Sequence, residues 1–355
     1  MAVATAGARV RVGASRYRAV MMGLAVAFVA AFVVGVALGA VWISPWDSLQ
    51  LIGWKLHLTA RPHVPASTEA ILLQLRLPRV LLAVAVGAAL ATAGTLFQGL
   101  FRNPMADPAI IGVSSGAALA AVGVIVAGAG SALGGMGVTL AAFVGALATA
   151  FLVYRLARIG PTTNVATLLL AGIAVAALVS AVMSVVMSLA GEQIRSIYFW
   201  LLGGLGARSW QSMEAATPLI AVGIAIAIAL AGELNLMSMG EERAAQLGVE
   251  IERFKRLSLA AGALLAAAAV SVSGVIGFVG LMIPHLLRLV VGSDHRRLLP
   301  AVLLAGPTFL ILADLAARTV IAPEELPVGA VTAILGAPFF LYLLRHQRRV
   351  AGPER

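Results

Sequence analysis

Cysteine is absent from the 355 residues, lysine occurs only at Lys55 and Lys255, and charged residues make up 11% of the chain. The first absence removes disulfide frameworks, thiolate metal sites and cysteine nucleophiles. The second bears on phosphate loops. Neither lysine follows a glycine, so no Gly-x-x-x-x-Gly-Lys-Ser/Thr loop exists and any nucleotide hydrolysis belongs to another chain. The scarcity of charge excludes most. Soluble proteins carry about 25% charged and about 45–50% apolar residues, whereas 61% of this chain is hydrophobic. A soluble globular domain is ruled out, and at about 20 apolar residues per crossing the chain suffices for about ten spans.

An all-α polytopic membrane protein follows, organised as a single transmembrane domain over 1–355. Residues 1–18 carry Arg9, Arg11, Arg16 and Arg18, and the apolar run Ala19 to Ile43 is too long for a signal-peptide core, so it reads as a retained first helix with a cytoplasmic amino terminus. Further crossings are expected at about 79–99, 112–129, 136–154, 164–190, 214–234, 254–272, 298–318 and 328–344. With both termini inside, 18 of 25 basic residues fall on the cytoplasmic side, leaving Lys55, Arg61, Arg76, Arg79, Arg195, Arg208 and Arg318 outside. The net charge of +10 therefore reads as a topology signal rather than a nucleic-acid surface. Between 273 and 292 the pattern is irregular. Gly274-Val-Ile-Gly-Phe-Val-Gly280 precedes Pro284, which predicts an extended stretch feeding a short helix. A similar break lies at Asn103-Pro-Met-Ala-Asp-Pro108, and paired breaks point to a transporter built from two related halves. The outer loop 44–74, with Trp46, Trp54, His57 and His63, has no assignment.

The runs 80–101, 108–154, 159–191, 215–232, 257–287, 298–313 and 326–344 contain no Asp, Glu, Lys or Arg. Ion-coupled transport needs ionisable groups at membrane depth, so the driving energy is expected from a partner chain. Glu233, Asp314 and Arg318 lie near span ends, where solvation is the default. The segment Gly240 to Arg256 reads as two short amphipathic helices hinged at Gly248, with Leu247, Val249 and Phe254 available for contact, or as a solvated loop. Arg76, Arg79 and Arg318 form a cationic outer rim suited to acidic groups on an external protein or to lipid phosphates. Arg195 either attracts an anionic substrate or pairs with Glu192. Gly112-Val-Ser-Ser-Gly116 matches a serine-nucleophile pattern, with His285 as the histidine at membrane depth, but the strand-turn-helix context is missing and small residues at a helix start serve packing. The five histidines show no metal spacing, and His285 reads as a helix-end hydrogen-bonding residue.

Several motifs in order resemble one family, the FecCD/BtuC-like permeases, which are membrane subunits of ABC importers for ferric siderophores, heme and cobalamin. They are Arg76-Leu-Pro-Arg79, Gly87-Ala-Ala-Leu…Gly94, Gln98-Gly-Leu-Phe-Arg-Asn-Pro-Met-Ala-Asp-Pro108, Gly112-Val-Ser-Ser-Gly116, Trp200-Leu-Leu-Gly-Gly204, Gly240 to Val249, Gly277-Phe-Val-Gly-Leu-Met-Ile-Pro-His-Leu286 and Glu325-Leu-Pro-Val-Gly…Gly336-Ala-Pro-Phe339. The resemblance implies a BtuC-like fold of ten helices in the bacterial inner membrane. It also implies a homodimer with the pathway between the copies, two ATPase subunits holding ATP and Mg, a periplasmic substrate-binding protein, and no cofactor or catalysis in this chain itself. By position it assigns binding-protein docking to Arg76, Arg79 and Arg318, and ATPase coupling to Glu241, Glu242, Ala245, Leu247, Gly248 and Val249. The cytoplasmic gate falls on Asn103, Met105, Thr162, Thr163 and Asn164, with Met105 where leucine is commoner, a volume-conserving change. The fifth helix would line the pathway. Met183 and Met187, four apart, give it an adaptable apolar wall, with Arg195 at the mouth, which favours heme over a ferric siderophore or cobalamin as cargo.

A transporter and an intramembrane hydrolase part at one residue. Ser114→Ala is expected to leave substrate uptake into vesicles unchanged, whereas complete loss of function would favour the hydrolase.

Overall fold

The computed structural model describes residues 13–39, 41–160, 162–206 and 210–351, with side chains described except at 159 and 343–351. Arg9, Arg11, Arg208 and Arg355 lie outside the described residues, as do the side chains of Arg345, Arg348 and Arg349. The chain is a helical bundle. Among the described residues, seven helices are long and apolar enough to cross a membrane: α1 (Ala14–Ala37), α3 (Ala66–Leu100), α5 (Gly137–Ala157), α6 (Val165–Ser188), α8 (Trp210–Ala229), α11 (Ile251–Ser273) and α13 (His295–Thr319). Three further apolar helices stand beside them, α4 (Val113–Val126), α12 (Val279–Val291) and α14 (Val328–Ala351), the last with its apolar part at Val328–Tyr342. Small elements join them, namely α2 (Pro45–Lys55), α7 (Ile194–Leu201), α9 (Ala231–Met237), α10 (Glu241–Gln246) and the antiparallel pair β1 (Arg158–Ile159) and β2 (Thr162–Thr163).

Helix α3 is the axis of the bundle, packed by α8, α11, α12 and α13. Its most apolar window is 83% buried, against 17% for α1 and 11% for α6, so α3 has protein on all sides while α1 and α6 leave apolar flanks for lipid or another chain. Small residues allow this centrality. A Cβ at Gly94 would fall on the carbonyl oxygen of Gly280 in α12, and one at Gly87 would lie 2.6 Å from the carbonyl oxygen of Gly306 in α13. With no side chain in the way, backbones approach to contact, and dispersion rather than hydrophobic transfer holds helices together in lipid.

The two breaks read from the sequence are present and meet. After α3 the chain runs through an irregular loop into a 3-10 turn at Pro108–Ile111, and after α11 it has no regular structure from Gly274 to Gly277 before Phe278 enters the left-handed region at φ 68°. A Cβ on Gly280 would lie 3.0 Å from the Pro108 ring. Gln98 of α3 bridges the region: its amide N–H groups donate to the carbonyls of Gly280 (3.2 Å) and Leu281 (3.0 Å), and its carbonyl accepts from Arg288.

Two expectations need correction, and one unassigned segment gains a structure. The first helix ends at Ala37 rather than near Ile43, because Leu38 turns extended. The second half of the 240–256 segment is not a short separate helix: no breaker follows Ile251, so it continues as the membrane helix α11. Outer loop 44–74, left unassigned, forms α2 and the first turns of α3, with Lys55 and Arg61 each 4.9 Å from the centre of the Trp54 ring.

The close approach gives a stability test. Gly94→Ala is expected to destabilise the fold by about 1–3 kcal/mol or more. Gly23→Ala, with open space around it, is expected to stabilise α1 by about 0.5–1 kcal/mol. Unfolding of the detergent-solubilised chain measures both.

Candidate functional site

The rim residues gather at one end of the bundle, but not as a free cationic surface. Arg76 closes a π-helical turn within α3 and is 6% exposed. Its guanidinium donates to the carbonyls of Val36 (3.2 Å) and Ala37 (2.7 Å), and to that of Val41. Arg318 of α13, also 6% exposed, donates to Leu38 (2.9 Å) and Gly35. The last carbonyls of a helix lack intrahelical partners and carry its negative dipole end; here two cations from distant parts of the chain complete the end of α1. Asp314, expected to be solvated, is 1% exposed. Its carboxylate lies 3.4 Å from Arg318 Nε and accepts from Arg79 Nε at 2.9 Å. Arg79 reaches outward as well, donating to both oxygens of the half-exposed Glu325 at 3.0 Å. Of the three rim arginines, Arg79 and its Glu325 partner stand nearest to solvent. Arg76 and Arg318 stand behind them, because an unpaired guanidinium at that depth would be costly.

At the opposite end lie the 240–248 turn and the two loops expected to form the cytoplasmic gate. Gly240 (φ 108°) and Gly248 (φ 88°) adopt backbone conformations that favour glycine and bracket α10. Leu247 is 57% exposed, and Glu242 and Ala245 are exposed beside it. Glu241 is partly buried. Two contact residues read from the sequence are not available: Val249 and Phe254 are buried, since α11 turns that face onto the core. Sequence reasoning missed Lys255, which is buried beneath α10 and paired with Glu241 at 2.8 Å. No local pattern singles it out, since it stands among Glu252, Arg253 and Arg256 in a charged stretch.

The gate residues fall in two neighbouring loops at this end. Asn103 caps its own loop, its Oδ1 accepting from the Met105 N–H at 2.9 Å, and Met105 lines a small cavity together with Phe278, His285 and Phe339. Neither ring nitrogen of His285 has a partner among the described residues, so its expected role as a hydrogen-bonding helix end is not seen; its surroundings are apolar. Asp107, nearby, accepts from the Ala109 N–H at 2.8 Å, and burial holds its carboxyl above the usual carboxylate range. Thr162 and Thr163 form β2, and Asn164 caps α6 by accepting from the N–H groups of Ala166 (2.9 Å) and Thr167 (3.1 Å).

Helix α6 leads from the gate toward the rim. Met183 and Met187 are half-buried and pack in a small cluster with Val122, Ala190 and Ile197, so they brace the α7 turn. The open face of α6 is built instead by Leu170, Ile173, Leu178, Val182 and Val185. Arg195 is exposed and lies 5.8 Å from the Phe199 ring, with no ion pair to Glu192.

A multi-span helical bundle with broken helices meeting at depth, a buried ion network at one end and a hinged turn at the other defines a membrane permease. The model of the FecCD transport family matches residues 3–346, and the chain belongs to that family. It is 50% identical over 282 residues to the cobalamin import system permease protein BtuC of Halobacterium salinarum, covering 79% of this chain and 75% of that one. It is 46% identical over 280 residues to the hemin transport system permease protein HmuU of Yersinia pestis, covering 78% and 83%. A solved structure described as an inward-facing conformation of a metal-chelate type ABC transporter matches with a TM-score of 0.80 and 31% identity over 93% of this chain and 99% of that one.

The rim network predicts an asymmetry. Asp314→Ala strands two buried guanidinium groups and is expected to cost about 3–5 kcal/mol in unfolding measurements. Glu325→Gln, at a half-exposed carboxylate, is expected to cost at most about 1 kcal/mol.

Proposed function

We propose that this permease moves a metal-bearing tetrapyrrole macrocycle, heme before cobalamin, inward across the cytoplasmic membrane by alternating access. The pathway lies between two copies of the chain. In this reading two partner ATPase subunits bind ATP and Mg and press on the 240–248 turn, and a periplasmic binding protein docks at the rim around Arg79, backed by Arg76 and Arg318. This chain holds no cofactor, and both of its termini are cytoplasmic.

The observation that carries the coupling reading is the exposed α10 turn, hinged at two glycines and joined to the buried helix α11. A force applied at Leu247 therefore acts on a turn that moves against the fixed start of α11. The broad apolar face of α6 supports a large flat cargo, because such a wall offers dispersion contacts, and the exposed Ser184 and Ser188 beside it already donate to carbonyls of their own helix. Relatives named for hemin and for cobalamin support the same cargo class. A ferric siderophore, richer in polar groups, is the less favoured cargo. The exposed flanks of α6 also support a second copy covering them.

Uptake into sealed vesicles holding the chain with its ATPase and binding protein tests this, comparing heme, cobalamin and a ferric siderophore with and without ATP. ATP-dependent accumulation of heme is expected. Accumulation of cobalamin alone would reassign the cargo within the class, and of a siderophore alone would overturn the class. In the same vesicles Gly248→Pro is expected to lower uptake at least tenfold while ATP hydrolysis continues, since a coupling free energy of about 1–3 kcal/mol spans that range; unchanged uptake would remove the lever.

A further inference from the structure

Lys255 sits at the first turns of α11 with 5% of its surface exposed. An ammonium has three protons to place, and three acceptors surround this one. Nζ donates to Glu241 Oε2 in α10 at 2.8 Å, to the Thr163 carbonyl in β2 at 3.0 Å, and to Glu252 Oε1 one turn back in α11 at 3.4 Å. Glu252 closes the circuit, since its Oε2 accepts the Thr163 N–H at 3.0 Å. Both backbone polar groups of Thr163 are therefore held from α11, and the next residue, Asn164, caps α6.

We infer that Lys255 is the positioning residue through which displacement of α10 reaches the β1–β2 hairpin and the start of α6. This inference rests on the reading of the 240–248 turn as the ATPase-facing segment and names the residue that carries its signal. Helix α10 is six residues long, with a positive-φ glycine before it and another two residues after it, so it can tilt as a unit about Gly240 and Gly248. Helix α11 cannot follow, being packed into the core over most of its length. When α10 tilts, Glu241 moves relative to Lys255. A buried ammonium does not tolerate a lost acceptor, so the lysine tracks the carboxylate and loosens its bond to Thr163. Release of that carbonyl frees the hairpin at the foot of the helix that walls the pathway. Coupling here means a bistable set of bonds biased from one side.

The absence of cysteine makes the test direct. A single Ala166→Cys, at an exposed position in the first turn of α6, carries a spin label in the whole importer complex in lipid nanodiscs, and label mobility is read with and without ATP and vanadate. The native background is expected to show an ATP-dependent change. Lys255→Met is expected to reduce it about tenfold, and Lys255→Arg, which keeps the charge and donors, to restore most of it. Glu241→Gln leaves the fold intact if Lys255→Met does not assemble, and is expected to reduce the change too. A change of native size in Lys255→Met or, where that variant does not assemble, in Glu241→Gln overturns the role of Lys255, as does a native label that stays still while ATP-driven uptake proceeds. A native label that stays still with no ATP-driven uptake overturns the coupling reading itself, so the two failures are told apart. A merely structural lysine would lower the melting temperature and leave the ATP response in place.

Discussion

Peptide groups at membrane depth have no water to bond to, and each one left without a partner costs several kcal/mol. The break after α11 meets that constraint locally, the Gly274 N–H donating to the Val270 carbonyl at 2.8 Å and the Val279 N–H to that of Gly277 at 2.9 Å, and the start of α12 meets it through α3. The Gln98 side chain donates to the carbonyls of Gly280 and Leu281, the first of which faces a proline, Pro284, where a helical N–H donor would stand, and the glycine contact between Gly94 and Gly280 brings that turn within reach of it. The serine before the break contributes as well, its carbonyl accepting from Gly204 at 2.7 Å. A break of this kind survives only inside a wall of other helices. That accounts for α3 being enclosed by α8, α11, α12 and α13, and for the outlying helices α1 and α6 carrying the apolar surface that remains.

Charge is managed by the same economy of partners. At the rim, Asp314 is shared by Arg79 and Arg318, and the two arginines behind it spend their remaining donors on the carbonyl end of α1. At the lever, Lys255 is enclosed by two glutamates and a carbonyl. Between these ends the helices are free of charge over long runs, apart from Arg288, which bonds Gln98. A bundle arranged in this way concentrates its charged groups at its two ends.

Much of this arrangement was legible in the sequence. Hydropathy located the spans because a bilayer imposes a length and a composition, and glycine and proline located both breaks. Burial of single polar side chains was not legible. Asp314 and Arg318 sit near a span end, where composition says solvent, yet a neighbour 235 residues away in sequence, Arg79, draws the aspartate inside. Phe254 and Val249 looked available because a short amphipathic segment has no visible inside until the helix that it begins is seen to continue into the core. The resemblance and their spacing of four place Met183 and Met187 on the pathway wall, and spacing does not say that they also pack against Val122, Ala190 and Ile197 beside α7. The role of Lys255 depends on three separate stretches of chain meeting, which no local pattern records.

The manner in which α1 ends has a bearing on how the protein is made. Its final carbonyls are closed by Arg76 and by Arg318, and the second of these lies 280 residues beyond its acceptor Leu38. During synthesis the first helix enters the bilayer long before the ribosome reaches the codon for Arg318. Until then it can hold only a provisional place, ending in part-exposed polar groups and lying against lipid or an insertion factor. The helix that is translated first is thus among the last to be locked, and a chain stopped short of α13 would leave its opening segment unsealed for quality control to find.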